Sequence, residues 1–404
     1  MSAEAVHSRP VSVALNMFFL TEASGGAGRY ARELLPALLR REPGTRIVAF
    51  VSRDAPRALF EAPWAGEVDW VVLPLRTSGG RGHWTAQTVL QNAWLPVVAA
   101  RRKVEVVHGL ANAVPPLVPG RATVVTLLDV IWLHHPETIP SRAVRVPFKA
   151  IALLSARRAD RVIAISKAAR DDFVATIGLP RGKIDVAPLG VSDTETARPT
   201  PEAELRSGLA LGDRRIVLSV AQKNPHKNLA SLVRAVADLG GDVALVLPGS
   251  PTEHERDLRA LAEELGVADR VRFPGWLPEA DLEGLYRAAA CFALPSLIEG
   301  FGLPILEAMR RDVPVACSDR SSLREVAGDA ALLFDPEDQG EVTAAIRRLL
   351  TDRELAARLA RRGRRRCREF PWERTAEATL ASYRRAIAQR RTRAADRRLV
   401  GRSS

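Results

Sequence analysis

Cysteine is scarce in this chain: its 404 residues include three, Cys291, Cys317 and Cys367. An odd, scattered trio supports no disulfide framework and matches no zinc-ligand spacing. Cys291 and Cys317 sit in apolar, strand-like runs and read as core. Long apolar stretches are also missing. None approaches the ~18–20 uninterrupted apolar residues of a membrane span. The opening segment, MSAEAVHSRPVSVALNMFFL, lacks a charged stretch followed by a clean apolar one, which argues against a secretory signal. The chain therefore reads as cytoplasmic. No GxGxxG fingerprint is present, which speaks against a nicotinamide-dependent enzyme.

What the chain has is length, apolar content and positive charge. A length of 404 residues with 47% hydrophobic residues suits two domains better than one core. The net charge is +12. Such an excess favours an anionic partner: nucleic acid, a membrane surface or an anionic substrate. Much of it falls late, in RRGRRRCREF and QRRTRAADRRLVGRSS. Arginine far exceeds lysine and alanine is abundant, so a GC-rich genome explains part of the excess, and a peripheral membrane surface stays open beside it. The late arginines are not interleaved with aromatics for base stacking, so nucleic acid is not an expected partner.

Short apolar, β-branched runs alternate with helical patterns. VSVAL, RIVAFV, DWVVL, VEVVHG, ATVVTLL and RVIAIS are not strictly alternating, as expected of parallel strands buried on both faces. The helix after the first strand, RYARELLPALLRR, places Leu34, Leu35 and Leu38 on one face. The pattern breaks in the polar, proline-bearing segment SDTETARPTPEAELR. It restarts with RRIVLSV, DVALVLPG, VRFPG, ACFALP, VPVAC and ALLF. The expected architecture is thus α/β, two doubly wound parallel-sheet domains. The expected boundaries are 1–195, 196–371, a C-terminal helix over 372–390 and a frayed basic tail over 391–404. In that helix Ala376, Leu380, Tyr383 and Ile387 recur at three- or four-residue steps, so it must bury one face.

Two stretches of the second half carry chemistry. In LPSLIEGFGLPILEAM, the segment SLIEGFG follows a predicted strand and precedes a helix starting near Pro304. Open α/β sheets bind ligands at such strand ends. Gly300 and Gly302 allow close backbone approach, and the helix start offers amides to an anion. Glu299 and Glu307 accept hydrogen bonds from hydroxyl-rich groups, so the combination suits a sugar–phosphate compound. The plain alternative has Glu307 capping the helix and Glu299 solvated. In SVAQKNPHKNLASLV, Gln222, Lys223, His226 and Lys227 occupy the loop before another helix, where a lysine can reach a diphosphate.

These segments resemble the retaining glycosyltransferases of family 4, which have the GT-B fold of two Rossmann-like domains facing across a cleft. The resemblance rests on two glutamates separated by seven residues, Glu299 and Glu307, and on AQKNPHKN, with Lys227 in the lysine position. The usual arginine position holds Gln222, with Lys223 beside it as the substitute cation. VRFPGWLPEADLEGLYRAA resembles the segment bordering the nucleotide base, around Arg272–Gly275. The resemblance implies that Glu307 binds ribose hydroxyls and Glu299 contacts the transferred sugar. The backbone of Phe301, Gly302 and Leu303 lines the pocket, and Lys227 stabilises the leaving diphosphate. It implies the same of TEASGGAGRY, whose Gly25 and Gly26 approach the donor phosphates or the acceptor. Relatives commonly carry a histidine before the aspartate of TVVTLLDVIWLHHPE. Here Leu128 precedes Asp129, so His108 or Asp129 is expected on the acceptor side, while His134 and His135 read as structural.

The implied reaction is retaining transfer of a hexose from a nucleotide-diphosphate sugar to a hydroxyl of a glycan, lipid-linked glycan or small molecule. Mannosyl or rhamnosyl transfer in bacterial polysaccharide or glycan assembly is the expected case. Glycosylation of a secondary metabolite, or a non-transferring enzyme of the same fold such as a 2-epimerase, stays open. No organic cofactor is expected. No DxD-like acidic pair is evident, and with Lys227 and a helix dipole to carry the charge work, metal independence is expected. The implied place of the terminal helix is back across the first domain.

Overall fold

Runs of Val, Ile, Leu and Ala form the strands; those inside each sheet are buried on both faces, as their lack of alternation requires, and the outermost ones are partly exposed. The structure is a computed structural model and describes residues 9–22, 24–73, 90–139, 141–192 and 197–400. The chain divides into two compact units, Met1–Leu189 with Trp372–Ser404, and Gly190–Pro371. The break thus falls a few residues before the expected 195, and residues 193–196 of the polar segment lie outside those described. The end of that segment is not a linker: Glu202–Gly208 is helical.

The first unit contains β1 (Ser12–Asn16), β2 (Arg46–Val51), β3 (Val68–Val72), β4 (Val106–Gly109), β5 (Ala122–Leu127), β6 (Arg161–Ala164) and β7 (Ile184–Val186). They pair in the order β3-β2-β1-β4-β5-β6-β7, every pair parallel. The core includes Phe18, Phe50, Val107, Val125 and Phe173, all fully buried.

The terminal helix, Trp372–Val400, belongs to this unit. Its buried residues Trp372, Ala376, Leu380, Tyr383 and Ala386 follow the helical period. The Trp372 ring stacks on Tyr30 with centroids 6.4 Å apart. Thr375 Oγ1 donates to the Pro188 carbonyl at 2.6 Å, and Ser382 Oγ to Asp185 Oδ2 at 2.7 Å. The helix does not stop at 390. It runs on to Val400 through residues expected to fray, because alanine and arginine are good helix formers. Residues 401–404 lie outside those described.

The second unit contains β8 (Arg215–Leu218), β9 (Val243–Pro248), β10 (Val271–Gly275), β11 (Ala289–Leu294), β12 (Val315–Ser318) and β13 (Ala331–Phe334). Their order is β10-β9-β8-β11-β12-β13, again all parallel. In both sheets successive strands run outward one way, then restart beside the first. That reversal falls between β1 and β4 and between β8 and β11. The loops leaving the carboxyl ends of such a strand pair diverge to opposite faces and open a crevice.

Candidate active site

In the second unit the crevice loops are residues 219–228 after β8 and residues 295–302 after β11. The first makes a short turn, Pro225–Lys227, passes Asn228 in a left-handed conformation (φ 51°) and enters the helix Leu229–Asp238. The second enters the helix Leu303–Arg310. The loops are tied together by Leu297 N, which donates to the His226 carbonyl at 2.8 Å. Beside that bond, Lys227 Nζ donates to Glu299 Oε1 at 2.7 Å. Ser296 Oγ donates to the same oxygen at 2.8 Å. The hydroxyls of Ser321 and Ser322 hold the Glu299 carbonyl at 2.8 and 2.9 Å. The Lys227 and Glu299 side chains keep 17% and 11% of their surface exposed, so the pair is largely shielded yet reachable. Both side-chain bonds fall on Oε1, and Oε2 takes neither.

Glu307 lies one turn into the helix and does not cap it. The cap position is Gly302, with no side-chain cap bond. Glu307 is 7% exposed and accepts from the buried Tyr286 hydroxyl at 2.9 Å. The Tyr286 ring is held between Phe292, stacked with centroids 6.0 Å apart, and the Arg311 guanidinium, 4.6 Å from the ring centroid. The Glu307 carboxylate is therefore oriented from behind. Gly302 has φ 97°, and a Cβ there would come within 2.4 Å of Leu323 Cδ2, so this turn accepts no side chain. Phe301 and Leu303 turn their side chains inward, Phe301 against Phe370 at 5.8 Å. The backbone around Gly300 and Gly302 and the amide-rich helix start are what this loop offers a ligand.

Several expected residues are placed otherwise. Lys223 is not a second cation of the crevice. It is fully buried, its ammonium donates to the Gly249 carbonyl, and Glu255 Oε2 lies 3.9 Å away. Burial pushes its pKa down to about 8 against the opposing pull of Glu255. Gln222 stays exposed in the loop, where Oε1 accepts from Asn224 Nδ2 at 3.4 Å. Arg272 is not at the ligand end of its strand. Its guanidinium folds back onto the carbonyls of Leu209 (2.5 Å), Ala210 (2.9 Å) and Ala268 (3.3 Å), closing the end of the helix Glu202–Gly208.

In the first unit, Gly25 (φ 53°) and Gly26 open the helix Gly25–Arg41 after β1, and a Cβ at either would meet nothing within 4 Å. Asp129 follows β5, half-buried, and its Oδ1 accepts from Ile131 N at 3.0 Å. His108 does not line an open surface. It is fully buried, with Nδ1 2.7 Å from the Tyr383 hydroxyl and Nε2 2.8 Å from Thr126 Oγ1. Thr126 Oγ1 in turn lies 3.0 Å from the Tyr30 hydroxyl. Burial lowers the imidazole pKa to about 3, so the ring is neutral and structural. His134 pairs with Asp172 at 3.1 Å, which also fits a structural role.

Ser296, Tyr286, Ser321 and Ser322 had no signal in the sequence as a site. Tyr286 sits in LEGLYRAA as an ordinary apolar-face residue of a helix, and its partner is 21 positions away. Among the described residues no group of three or more His, Cys, Asp or Glu could hold a metal ion. Among them, too, no helix is long and apolar enough to cross a membrane.

Residues 24–195 match the family described as Glycosyltransferase Family 4, and residues 202–366 match Glycosyl transferases group 1. The O-antigen chain mannosyltransferase B of Escherichia coli is 31% identical over 265 residues, 64% of this chain and 69% of that protein. The chain belongs to the group 1, family 4 glycosyltransferases. An MMP alpha-(1->4)-mannosyltransferase of Mycolicibacterium hassiacum is 35% identical, over 58% of this chain and 56% of its own length. A D-inositol 3-phosphate glycosyltransferase of Acidothermus cellulolyticus is 37% identical, over 60% and 57%. The chain thus spans little more than half the length of these two. Sucrose-phosphate synthase from Thermosynechococcus elongatus shares the fold, with a TM-score of 0.74 over 94% of this chain and 99% of that one, at 23% identity. Anabaena HepE, solved with UDP and glucose, superimposes with a TM-score of 0.70 over 92% and 100%, at 20% identity. The two Rossmann-like parallel sheets of this family 4 glycosyltransferase are those of the GT-B fold.

Proposed function

We propose that the protein transfers a hexose, with retention of configuration, from a nucleotide-diphosphate sugar to a hydroxyl acceptor in glycan assembly. The observation that carries the proposal is the Lys227–Glu299 pair at the β8/β11 reversal, 2.7 Å apart and beside a glycine-bearing helix start. Lys227 and the helix amides meet the diphosphate as the bond to the anomeric carbon breaks. Glu307, aimed by Tyr286, takes the ribose hydroxyls. Glu299 holds Lys227 in place and presents Oε2 to the sugar. The acceptor hydroxyl attacks from the face that the diphosphate leaves, and a phosphate oxygen takes its proton. Each charge that develops in this step has a preorganised partner among these groups, which is where such sites gain most of their rate. Lys227 does the work a metal would do, so the reaction is metal-independent: activity survives EDTA, and a loss restored by Mg²⁺ or Mn²⁺ refutes this part.

The names of the relatives support mannose as the sugar, with GDP-mannose the first donor to try. The deciding experiment incubates the protein with UDP-, GDP- and dTDP-hexoses, follows nucleotide release, and reads the product anomer by NMR. An inverted product, or release of a 2-epimer without any acceptor, overturns the proposal. The helix Arg142–Arg158 supports a place at a membrane surface: Val146 and Leu154 are 61% and 43% exposed, between Arg142 and the Arg157–Arg158 pair. Sedimentation with anionic vesicles tests it. No binding at low salt removes the membrane from the proposal.

A further inference from the structure

Away from the crevice, the second unit has a cavity of about 540 Å³ lined by Glu283, Arg287, Arg310, Arg311, Asp312, Arg364, Cys367 and Arg368. Five guanidinium groups face two carboxylates there, a surplus of three positive charges. The surplus survives the pairing already present. Glu283 is 1% exposed and takes Arg311 through both Nε, at 2.8 Å, and Nη2. Arg287 and Arg310 share the same carboxylate at 3.3 and 3.6 Å. Burial raises the Glu283 pKa, but the Arg311 bond and the neighbouring arginine charges outweigh it, and the group ends below its usual value. Asp312 is matched by Arg364 at 2.8 Å, yet their side chains are 54% and 60% exposed, so water screens this pair and it yields easily to a stronger partner.

Positive charges crowded into a concave site repel one another, and an entering anion relieves that repulsion. Arginine forks match the oxygens of phosphate groups two at a time. The cavity backs onto the candidate active site, since Arg311 Nη1 donates to the Glu307 carbonyl at 2.7 Å and its guanidinium lies over Tyr286, but Lys227, Glu299 and Gly302 do not line it. Glu299 and Gly302 precede the helix Leu303–Arg310, whereas Arg310, Arg311 and Asp312 stand at its far end. Its eight residues span ~12 Å.

We infer that this cavity is a second anion site, which binds a diphosphate group, either free as pyrophosphate or as the end of a nucleotide. The inference does not depend on the proposed transferase reaction. The chemistry asks only for several closely spaced negative oxygens to meet the net surplus of three positive charges.

Calorimetric titration of the full chain with pyrophosphate and, separately, with uridine diphosphate tests it. Both are also titrated into Lys227→Ala, which weakens the crevice. At least one diphosphate should still bind Lys227→Ala, more weakly as salt rises. Arg368→Glu should reduce that affinity about tenfold. Arg368 is exposed at the rim, so its reversal leaves the fold intact, and Arg287→Gln provides a second variant with a smaller loss in the same direction. Loss for pyrophosphate alone identifies the free anion as the ligand, and loss for both admits the nucleotide. Binding that vanishes with Lys227→Ala alone places the anion in the crevice and overturns the inference. So does an affinity that neither arginine variant changes, or no binding of either probe.

Discussion

Acid should weaken the first unit through His108. The ring is fully buried, its nitrogens are bonded to the hydroxyls of Tyr383 and Thr126, and burial holds its pKa at about 3. In the unfolded chain the same imidazole titrates near the ordinary 6.5. Its folded value is depressed, so stability is complete above the unfolded value and is lost as pH falls toward 3. Only the unfolded state takes up a proton in that window. Each pH unit then costs about 1.4 kcal/mol, so the loss is about 2 kcal/mol near pH 5 and about 3 kcal/mol near pH 4. The neighbouring phenols, Tyr30 and Tyr383, are raised by burial and stay neutral throughout, so they add nothing to the slope. The assay is urea unfolding followed by tryptophan fluorescence, which reports mainly on this unit because Trp276 alone lies in residues 190–371. Carboxylates also titrate in this range, so the quantity to read is wild type minus His108→Gln. That difference should shrink by about 2 kcal/mol between neutral pH and about pH 5. Parallel curves for the two proteins would refute a buried neutral imidazole.

Four further outcomes follow from the crevice of the second unit. Lys227→Ala should lower kcat at least ~100-fold at saturating donor, the scale for losing a charge aimed at a leaving group, and near-wild-type turnover contradicts its role. Glu307→Ala should weaken nucleotide binding in the crevice far more than it lowers the unfolding midpoint. Tyr286→Phe, which removes one bond to a charged group, should weaken nucleotide binding about tenfold, and calorimetry showing unchanged affinity in either folded variant dismisses the ribose assignment. Gly302→Ala combines a left-handed backbone with a Cβ 2.4 Å from Leu323, and should cost about 2–4 kcal/mol of stability, so a thermal shift within error of zero shows that the turn relaxes freely.

Twelve of the thirteen described strands were legible because parallel strands buried on both faces must be continuously apolar, while β7, a three-residue edge strand with Asp185 at its centre, gave no such run. The places of Lys227, Glu299 and Glu307 in the segments after β8 and β11 were legible because those segments follow directly on apolar runs. The failures among site residues share one physical origin. Lys223 and Lys227 sit in the same loop with the same chemistry, and what separates them is the Gly249 carbonyl and the Glu255 carboxylate brought in from beyond the next strand. His108 ends an apolar strand as a residue near an active crevice would, but it is closed over by Tyr383, 275 positions later. Arg272 is claimed by carbonyls at 209 and 210. Local pattern tells where a side chain starts, and a distant segment decides where a long or polar one ends. The helical tail beyond 390 erred in the opposite direction: polarity suggested fraying, while intrinsic helix preference prevailed.

The terminal helix makes the second unit an insertion within the first, because the chain leaves the first unit at Leu189 and rejoins it at Trp372. During synthesis the seven strands of the first sheet emerge early, yet His108 and Thr126 remain uncovered until Tyr383 is made. At ~5–20 residues per second, the wait from residue 189 to residue 372 is roughly 10–40 s. The inserted unit is contiguous and can finish folding within that interval. The first unit, begun earlier, is completed later. A nascent chain released before residue 372 would display an open polar seam of imidazole and hydroxyls beside apolar surface, a form that chaperones and proteases recognise. Closing the first sheet with the last helix therefore makes its folded state a record that translation has passed the entire inserted unit.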